Sequence, residues 1–144
     1  MKKSKVNIYI AIIIVAAAGL LAFPYYTNNK GTNKSNLPSY ALRNSQVKEA
    51  YVFASENKDL LSHIPCYCGC GNIGHESAYN CFVKEEKADG NIEWEEHGSG
   101  CGTCYNIVLD SKELLEQGKS ATEIRDYIDN KYSQYGNPTN TPKP

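Results

Sequence analysis

An excess of positive charge is missing from this sequence of 144 residues, and its absence limits what the protein binds. Lysine and arginine total 15, against 16 aspartate and glutamate residues. Lys2, Lys3 and Lys5 precede an apolar run, so the rest of the chain has 12 positive and 16 negative residues, a formal charge of −4. Nucleic-acid binding proteins present basic surfaces to the phosphate backbone. We therefore predict no nucleic-acid partner.

Cysteine is absent outside positions 66–104, yet six cysteines lie within that segment. Neither Cys-rich stretch has the Cys-x-x-Cys-His order that attaches haem covalently, so no haem is predicted. We predict no nucleotide cofactor either. No catalytic acid, base or nucleophile arrangement stands out, so the sequence does not predict an enzyme. The predicted chemistry is that of the thiols.

Long apolar runs are also missing, apart from one that extends from Val6 to Phe23. A basic flank followed by such a run is typical of a secretory signal or a signal anchor. Its length, roughly 27 Å as a helix, is just short of the hydrocarbon core of a bilayer. We predict that residues 1–24 form an uncleaved single-pass transmembrane anchor in the bacterial cytoplasmic membrane. The positive-inside rule then places the rest of the chain outside. Cleavage after Ala18 is the alternative.

The exported part divides by composition. Residues 25–40 are predicted to be a flexible stalk, because polar residues and glycine dominate there. Residues 136–144 contain three prolines and are predicted to be a disordered tail. Residues 41–135 remain as a Cys-rich domain, small enough for covalent or metal staples to contribute materially to its stability.

The predicted fold class is mainly α: a small helical domain with a Cys-rich loop and one short β-hairpin, tethered by the N-terminal helix. Apolar residues from Val47 to Ile64 recur at helical spacing, with a bend near Asn57. A second helix is predicted over 103–117, and a hairpin turn at Asp89-Gly90. The expected inner face of the second helix is Tyr105, Val108, Leu109 and Leu115.

A capping box, Ser120-Ala-Thr-Glu123, predicts the start of a last helix. Apolar and aromatic residues form one predicted stripe along it. These residues are Ile124, Tyr127, Ile128 and Tyr132. The stripe is interpreted as core packing.

Three uses of the thiols are open from the spacing. A disulfide framework is the default for an exported domain with an even number of cysteines. The closely alternating Cys66, Cys68 and Cys70 cannot easily bridge one another, so each would need a partner elsewhere in the segment. A structural or interaction module with three disulfides satisfies that count.

A metal site is the second use, since thiolates select Cu(I), Zn(II) or similar d10 ions. Pairs at Cys66/Cys70 and Cys101/Cys104 have zinc-ligand spacing, which leaves Cys68 surplus. Alternating Cys-x-Cys suits a multinuclear thiolate site better and favours Cu(I). Imidazole ligands can be added, with His63 ranked behind two histidines that have glycine neighbours. The predicted metal ligands are Cys66, Cys68, Cys70, Cys81, Cys101, Cys104, His75 and His97.

Thiol–disulfide exchange is the third use. Cys101-Gly-Thr-Cys104 opens a predicted helix, whose N-terminal dipole favours a thiolate, as a redox-active pair requires. The strand that precedes such a helix in a thioredoxin fold is not evident. Whichever use applies, we expect the Cys66–Cys70 loop and the Cys101–Cys104 helix start to meet in space.

The hexapeptide Pro65-Cys-Tyr-Cys-Gly-Cys70 is the most specific motif in the chain. With Gly74-His75, Cys81, His97-Gly98 and Cys101-Gly-Thr-Cys104, it resembles the bacterial family named for its PCYCGC motif, over about Ala50 to Gly136. The resemblance implies a small exported protein, commonly a lipoprotein of Gram-positive bacteria, with no assigned activity. No cysteine precedes Cys66 here, which favours a protein anchor over a lipid.

A second resemblance involves Cys101-x-x-Cys104, Gly118-Lys-Ser120 and the run from Tyr132 to Gly136. This part is similar to the helical thiol subunit of cytochrome c maturation, and implies thiol exchange. Taken together, the sequence predicts an outward-facing domain that binds a thiophilic metal ion. A metal-transfer or redox partner of unknown identity is expected.

Overall fold

The computed structural model describes residues 36–144, so the predicted anchor and most of the predicted stalk lie outside the described residues. Helices dominate this part, together with one two-stranded sheet. In chain order the elements are α1 (Ser45–Glu56), α2 (Lys58–Leu61), β1 (Val83–Glu86), β2 (Ile92–Trp94), α3 (His97–Gly100), α4 (Gly102–Glu116) and α5 (Ala121–Tyr132). Short 3-10 turns lie at Ser39–Leu42, Cys70–Ile73, Tyr79–Cys81 and Ser133–Tyr135. Over residues 36–144, no helix is both long and apolar enough to cross a bilayer. The prediction of a mainly helical domain with one hairpin is confirmed.

Local sequence signals set the ends of the long helices. Asn44 caps α1, where its side chain accepts a hydrogen bond from the Val47 amide at 2.9 Å. Asn57 separates α1 from α2, as the predicted bend requires, and its side chain donates to the Phe53 carbonyl. The predicted capping box of α5 is present, with Ser120 and Glu123 each accepting from the other's backbone amide. Helix α1 packs against α4, and α4 packs against α5.

Two of the predicted inner-face residues are exposed. Leu115 is 39% exposed, because the buried face of α4 runs through Ile107 and Ser111 to Leu114. Leu115 is the next residue after Leu114 and is therefore rotated from this face by about 100° around the helix axis. Tyr127 is 42% exposed, and the Lys131 ammonium lies 5.4 Å from the centroid of its ring. The buried stripe of α5 instead runs through residues spaced four apart. These are Ile124, Ile128 and Tyr132.

The hairpin connects the aromatic part of the core to the start of α3. Its strands are antiparallel, with Val83 opposite Trp94 and an irregularity after Val83. Tyr51 is fully buried, and its ring packs edge-on against Phe82 at 4.9 Å and Trp94 at 5.8 Å. The Tyr51 hydroxyl donates to the Glu95 carbonyl at 2.5 Å. This bond fixes the chain two residues before His97.

The first described residues, 36–40, belong to the predicted stalk at 25–40. Leu37 and Tyr40 pack against the core. The Tyr40 hydroxyl donates to the Trp94 carbonyl at 3.3 Å, and the Trp94 indole donates to the Asn36 carbonyl at 3.0 Å. These contacts join residues 36–40 to Trp94 and to the core.

The C-terminal segment, predicted as a disordered tail at 136–144, makes specific contacts with the rest of the domain. It has no helix or strand beyond residue 136, but Thr139 is buried and pairs with Cys66. The Thr139 amide donates to the Cys66 carbonyl at 2.9 Å, and the Thr139 hydroxyl accepts from the Cys66 amide at 2.9 Å. Buried Arg125 donates to the carbonyls of His63 and Pro142. Composition predicted the lack of regular structure but not these specific bonds.

Thr139→Val removes the hydroxyl that accepts from the buried Cys66 amide while it keeps the side-chain volume. We expect the free energy of unfolding to fall by about 1–3 kcal/mol, since a buried donor is left unpaired. Chemical denaturation followed by circular dichroism measures this change. Asn140→Ala, at the exposed next position, is the control. Equal stability of the two variants would contradict the role assigned to Thr139.

Gly98 in α3 packs directly against the chain at Cys81. A Cβ at position 98 would lie 2.6 Å from the Cys81 carbonyl oxygen and 2.6 Å from the Phe82 ring, whereas one at Gly100 meets nothing within 4 Å. We expect Gly98→Ala to lower the free energy of unfolding by about 1–3 kcal/mol through overpacking. Gly100→Ala, in the same short helix, should be near neutral. Thermal unfolding of both variants tests this, and indistinguishable midpoints would show that α3 shifts freely.

Candidate metal centre

The Cys66–Cys70 loop is held between two other parts of the domain. Thr139 makes hydrogen bonds with both the amide and the carbonyl of Cys66. The Tyr67 hydroxyl donates to the Asp129 carboxylate at 2.7 Å, which attaches the loop to α5. Gly69 adopts a φ of +85°, a left-handed conformation that favours glycine, and turns the chain between Cys68 and Cys70. Cys66 and Cys70 therefore point into the core while Cys68 is half-buried.

The other three cysteines come from two segments that face this loop. Cys81 ends a 3-10 turn, and its thiol donates a long bond of 3.9 Å to the Ser77 carbonyl. Cys101 directly precedes α4, and Cys104 lies in the first turn of that helix. Cys81 and Cys104 are buried, whereas Cys101 is half-buried.

Three sulfurs form a nearly equilateral triangle. The Sγ atoms of Cys66 and Cys68 are 3.4 Å apart, those of Cys66 and Cys104 are 3.5 Å apart, and those of Cys68 and Cys104 are 3.4 Å apart. The Cys70 and Cys81 sulfurs are also 3.5 Å apart. The expected meeting of the Cys66–Cys70 loop with the start of α4 is confirmed.

These spacings match a metal site better than a disulfide. Four sulfurs at about 2.3 Å from one tetrahedral ion are about 3.8 Å from each other. A disulfide requires about 2.05 Å between two sulfurs. All six cysteines lie within residues 36–144, and all six are free thiols. The alternative use of the thiols, a framework of three disulfides, is therefore not present in this structure.

Two of the three histidines lie at the thiols. The His97 Nε2 atom is 3.4 Å from the Cys68 sulfur, and the His75 and His97 rings are 5.3 Å apart. The Nδ1 atom of His75 is buried without a hydrogen-bond partner. By contrast, His63 contacts the Pro142 carbonyl through Nδ1 at 3.3 Å and belongs to none of the donor groups found in residues 36–144.

The predicted ligands form four overlapping groups, in each of which all donor atoms lie within 4.8 Å of one another. Together the groups include all eight predicted residues. They are Cys68/His97/Cys101/Cys104, Cys66/Cys68/Cys70, Cys66/Cys81/Cys104 and Cys70/His75/His97. Because a d10 ion uses at most about four such donors, this arrangement offers more ligands than one ion can use.

The thiols share protons with one another. Hydrogen bonds from neighbouring thiols lower the pKa of all three loop cysteines. The largest effect comes from Cys104 at Cys66 and at Cys70, and from Cys101 at Cys68. Hydrogen bonds to Cys101, Cys66 and other thiols raise the pKa of Cys104. The bond with Cys104 lowers the pKa of Cys81, but the bonds with Cys66 and Cys70, together with burial, outweigh it, so this pKa is raised. A soft cation that binds these sulfurs replaces their thiol protons.

Sequence reasoning missed two residues that position the ligands. Thr139 fixes Cys66 from the far end of the chain, and no local motif marks it. Gly98 lets α3 approach the Cys81 carbonyl, which brings His97 toward the loop. Both depend on tertiary contacts between segments far apart in sequence.

Comparison with known proteins gives one match. The family model described as "Protein of unknown function with PCYCGC motif" matches residues 27–144. No curated protein and no solved structure matches the chain. The similarity to the helical thiol subunit of cytochrome c maturation is therefore not shown. Since the family model matches most of the chain and the structure brings the cysteines of the motif together, the protein belongs to the PCYCGC-motif family.

Proposed function

We propose that this protein binds a thiophilic d10 metal ion, Cu(I) or Zn(II), in the cluster of six thiols and two imidazoles. The observation that carries the proposal is the triangle of sulfurs at Cys66, Cys68 and Cys104, with edges of 3.4 to 3.5 Å. A triangle of nearly equal edges does not select one pair of thiols for a disulfide. It does provide three donors for a trigonal or tetrahedral ion.

The burial of the thiols supports the same conclusion. Cys66, Cys81 and Cys104 are each at most 1% exposed, so a thiolate there has lost its contact with water. A buried charge is costly unless it is paired. The hydrogen-bond partners of these three side chains within residues 36–144 are other thiols and the Ser77 carbonyl. None of these is a permanent cation, which leaves a metal ion as the natural counter-charge.

Ion identity follows from the donor set. Sulfur with imidazole suits Cu(I) and Zn(II), whereas Mg²⁺ and Ca²⁺ prefer oxygen. No carboxylate belongs to any of the four donor groups found among the described residues. Hard cations are therefore poor candidates for this site.

We further propose that the domain lies outside the cytoplasmic membrane, held there by residues 1–24. The basic flank and the apolar run of the sequence support this location. A bound ion would then protect the thiols in a compartment where free thiols tend to oxidise.

Anaerobic titration of the reduced full-length protein with Cu(I), Zn(II) and Cd(II) tests metal binding. We expect ultraviolet absorption from metal–thiolate bonds, a matching mass increase under native conditions, and fewer thiols open to alkylation. Binding releases thiol protons, so protons should appear in unbuffered solution. The module with three disulfides would instead be supported if the protein as isolated, before reduction, had a denatured mass lower by six hydrogens and if the reduced protein took up no metal.

Cys68→Ser tests the arrangement of the ligands. Cys68 belongs to the sulfur triangle and contacts His97, so its loss should lower the amount of bound Cu(I) or weaken binding by at least tenfold, about 1.4 kcal/mol. A zinc site made only by Cys66, Cys70, Cys101 and Cys104 would leave the affinity unchanged. His63→Gln, outside the donor groups, is the control for folding and purification.

Membrane fractionation tests the proposed location. The full-length protein should remain with the membrane after a high-salt wash, because salt screens surface charge but does not extract a spanning helix. N-terminal sequencing of the same material checks for cleavage. Soluble protein that begins near Gly19 would show that Ala18 is a cleavage site.

A further inference from the structure

The donor groups differ in their access to solvent. Cys66, Cys81 and Cys104 are all buried and form a thiol-only group, called here the inner subsite. Cys68, His97 and Cys101 are half-buried and form a second group with Cys104, called here the outer subsite. Cys104 is the one residue that these two subsites share.

We propose that the centre holds two d10 ions, one in each subsite, joined through the Cys104 sulfur, and that the outer ion is the one exchanged with soft ligands from solution. This inference rests on the proposed metal binding and adds its stoichiometry and its point of exchange. Cys104 is suited to the bridging position because its sulfur is 3.5 Å from Cys66 and 3.4 Å from Cys68, one ligand of each subsite.

The position of the buried charge favours a second ion. One Cu(I) among three inner thiolates leaves a net charge of −2 in a buried place, and a buried charge without a partner is costly. A second cation on the shared Cys104 sulfur lies next to that buried charge, while the thiolates that it adds, Cys68 and Cys101, are half-buried and keep access to solvent. It also uses donors that a single ion leaves idle, among them Cys68, Cys101 and the His97 imidazole.

His75 gives an independent sign of ligand binding at the outer side. Its buried Nδ1 atom has no hydrogen-bond partner, while its ring lies against the His97 ring. Buried polar atoms are normally paired, so an unpaired ring nitrogen at a donor cluster is a position where a ligand atom can bind. His75 shares a donor group with Cys70 and His97, which places this nitrogen beside the outer subsite.

The exchange step needs no oxidant or reductant. An incoming thiol forms a sulfur–metal bond at the outer ion while the bond from Cys101 to that ion breaks. The proton of the incoming thiol passes to the Cys101 sulfur, and the oxidation state of the metal does not change. The inner ion is not exchanged in this way because its three sulfurs are closed to solvent.

The experiment loads the reduced full-length protein with Cu(I) without oxygen and then adds excess bathocuproine disulfonate, a soluble Cu(I) chelator. We expect two bound ions by native mass spectrometry and two phases of release with equal amplitude, one fast and one slow. Cys101→Ser and His97→Gln should each remove the fast phase and halve the bound copper. His63→Gln, the matched histidine control, should keep both phases.

A second measurement does not depend on any variant that alters the core. The unmodified protein loaded with cadmium-113 should give two NMR resonances of equal intensity, one typical of sulfur-only ligation and one of mixed sulfur and nitrogen ligation. A single bound ion or a single resonance would overturn the two-ion inference and leave the proposed metal binding intact. No bound ion at all would overturn both. Release in one phase from a protein with two ions would overturn the assignment of the outer subsite.

Discussion

The close approach of six thiols and two imidazoles is the constraint on which the rest of this domain depends. Sulfurs 3.4 to 3.5 Å apart repel one another once they are ionised, so protons or cations must be shared among them. Three separate chain segments supply these groups, and every one of them must be fixed from outside the cluster. Most of the surrounding contacts serve that purpose. The domain is therefore best understood as a frame around a charged, soft-donor centre.

The frame holds each segment by a different physical means. Main-chain and hydroxyl bonds from Thr139 hold the loop. Buried Arg125 joins α5 to the His63 carbonyl, before the loop, and to the Pro142 carbonyl of the C-terminal segment. Sterics hold α3, since Gly98 has no side chain to separate it from Cys81. Helix α4 fixes Cys104 through its own hydrogen bonds and its packing on α1. A bound ion would add bonds across these segments, so metal binding and stability should be coupled.

Local signals in the sequence were sufficient for the helices, whereas the convergence of the thiols was expected from the small size of the domain. The capping box at Ser120, the break at Asn57 and the turn at Asp89-Gly90 each act through bonds within a few residues, and each is present. Leu115 and Tyr127 were misplaced because helical periodicity gives a stripe but not the tertiary rotation of the helix. Within the tail predicted at 136–144, the bonds of Thr139 connect to Cys66, 73 residues earlier in the chain. No composition argument contains that information.

The choice between a metal site and a disulfide framework depends on how many partners each thiol has. A disulfide pairs each sulfur with one other, so a framework of three disulfides predicts three isolated pairs. Here Cys104 lies equally close to Cys66 and Cys68, and Cys66 is equally close to Cys68. The Cys70 and Cys81 sulfurs are 3.5 Å apart, but both thiols also interact with Cys66 and Cys104. Formation of a disulfide between two sulfurs of the triangle would therefore leave the third sulfur without a partner in the triangle. A soft ion, by contrast, can bind all three sulfurs with little movement. The same three contacts that frustrate disulfide pairing thus make a metal-binding geometry.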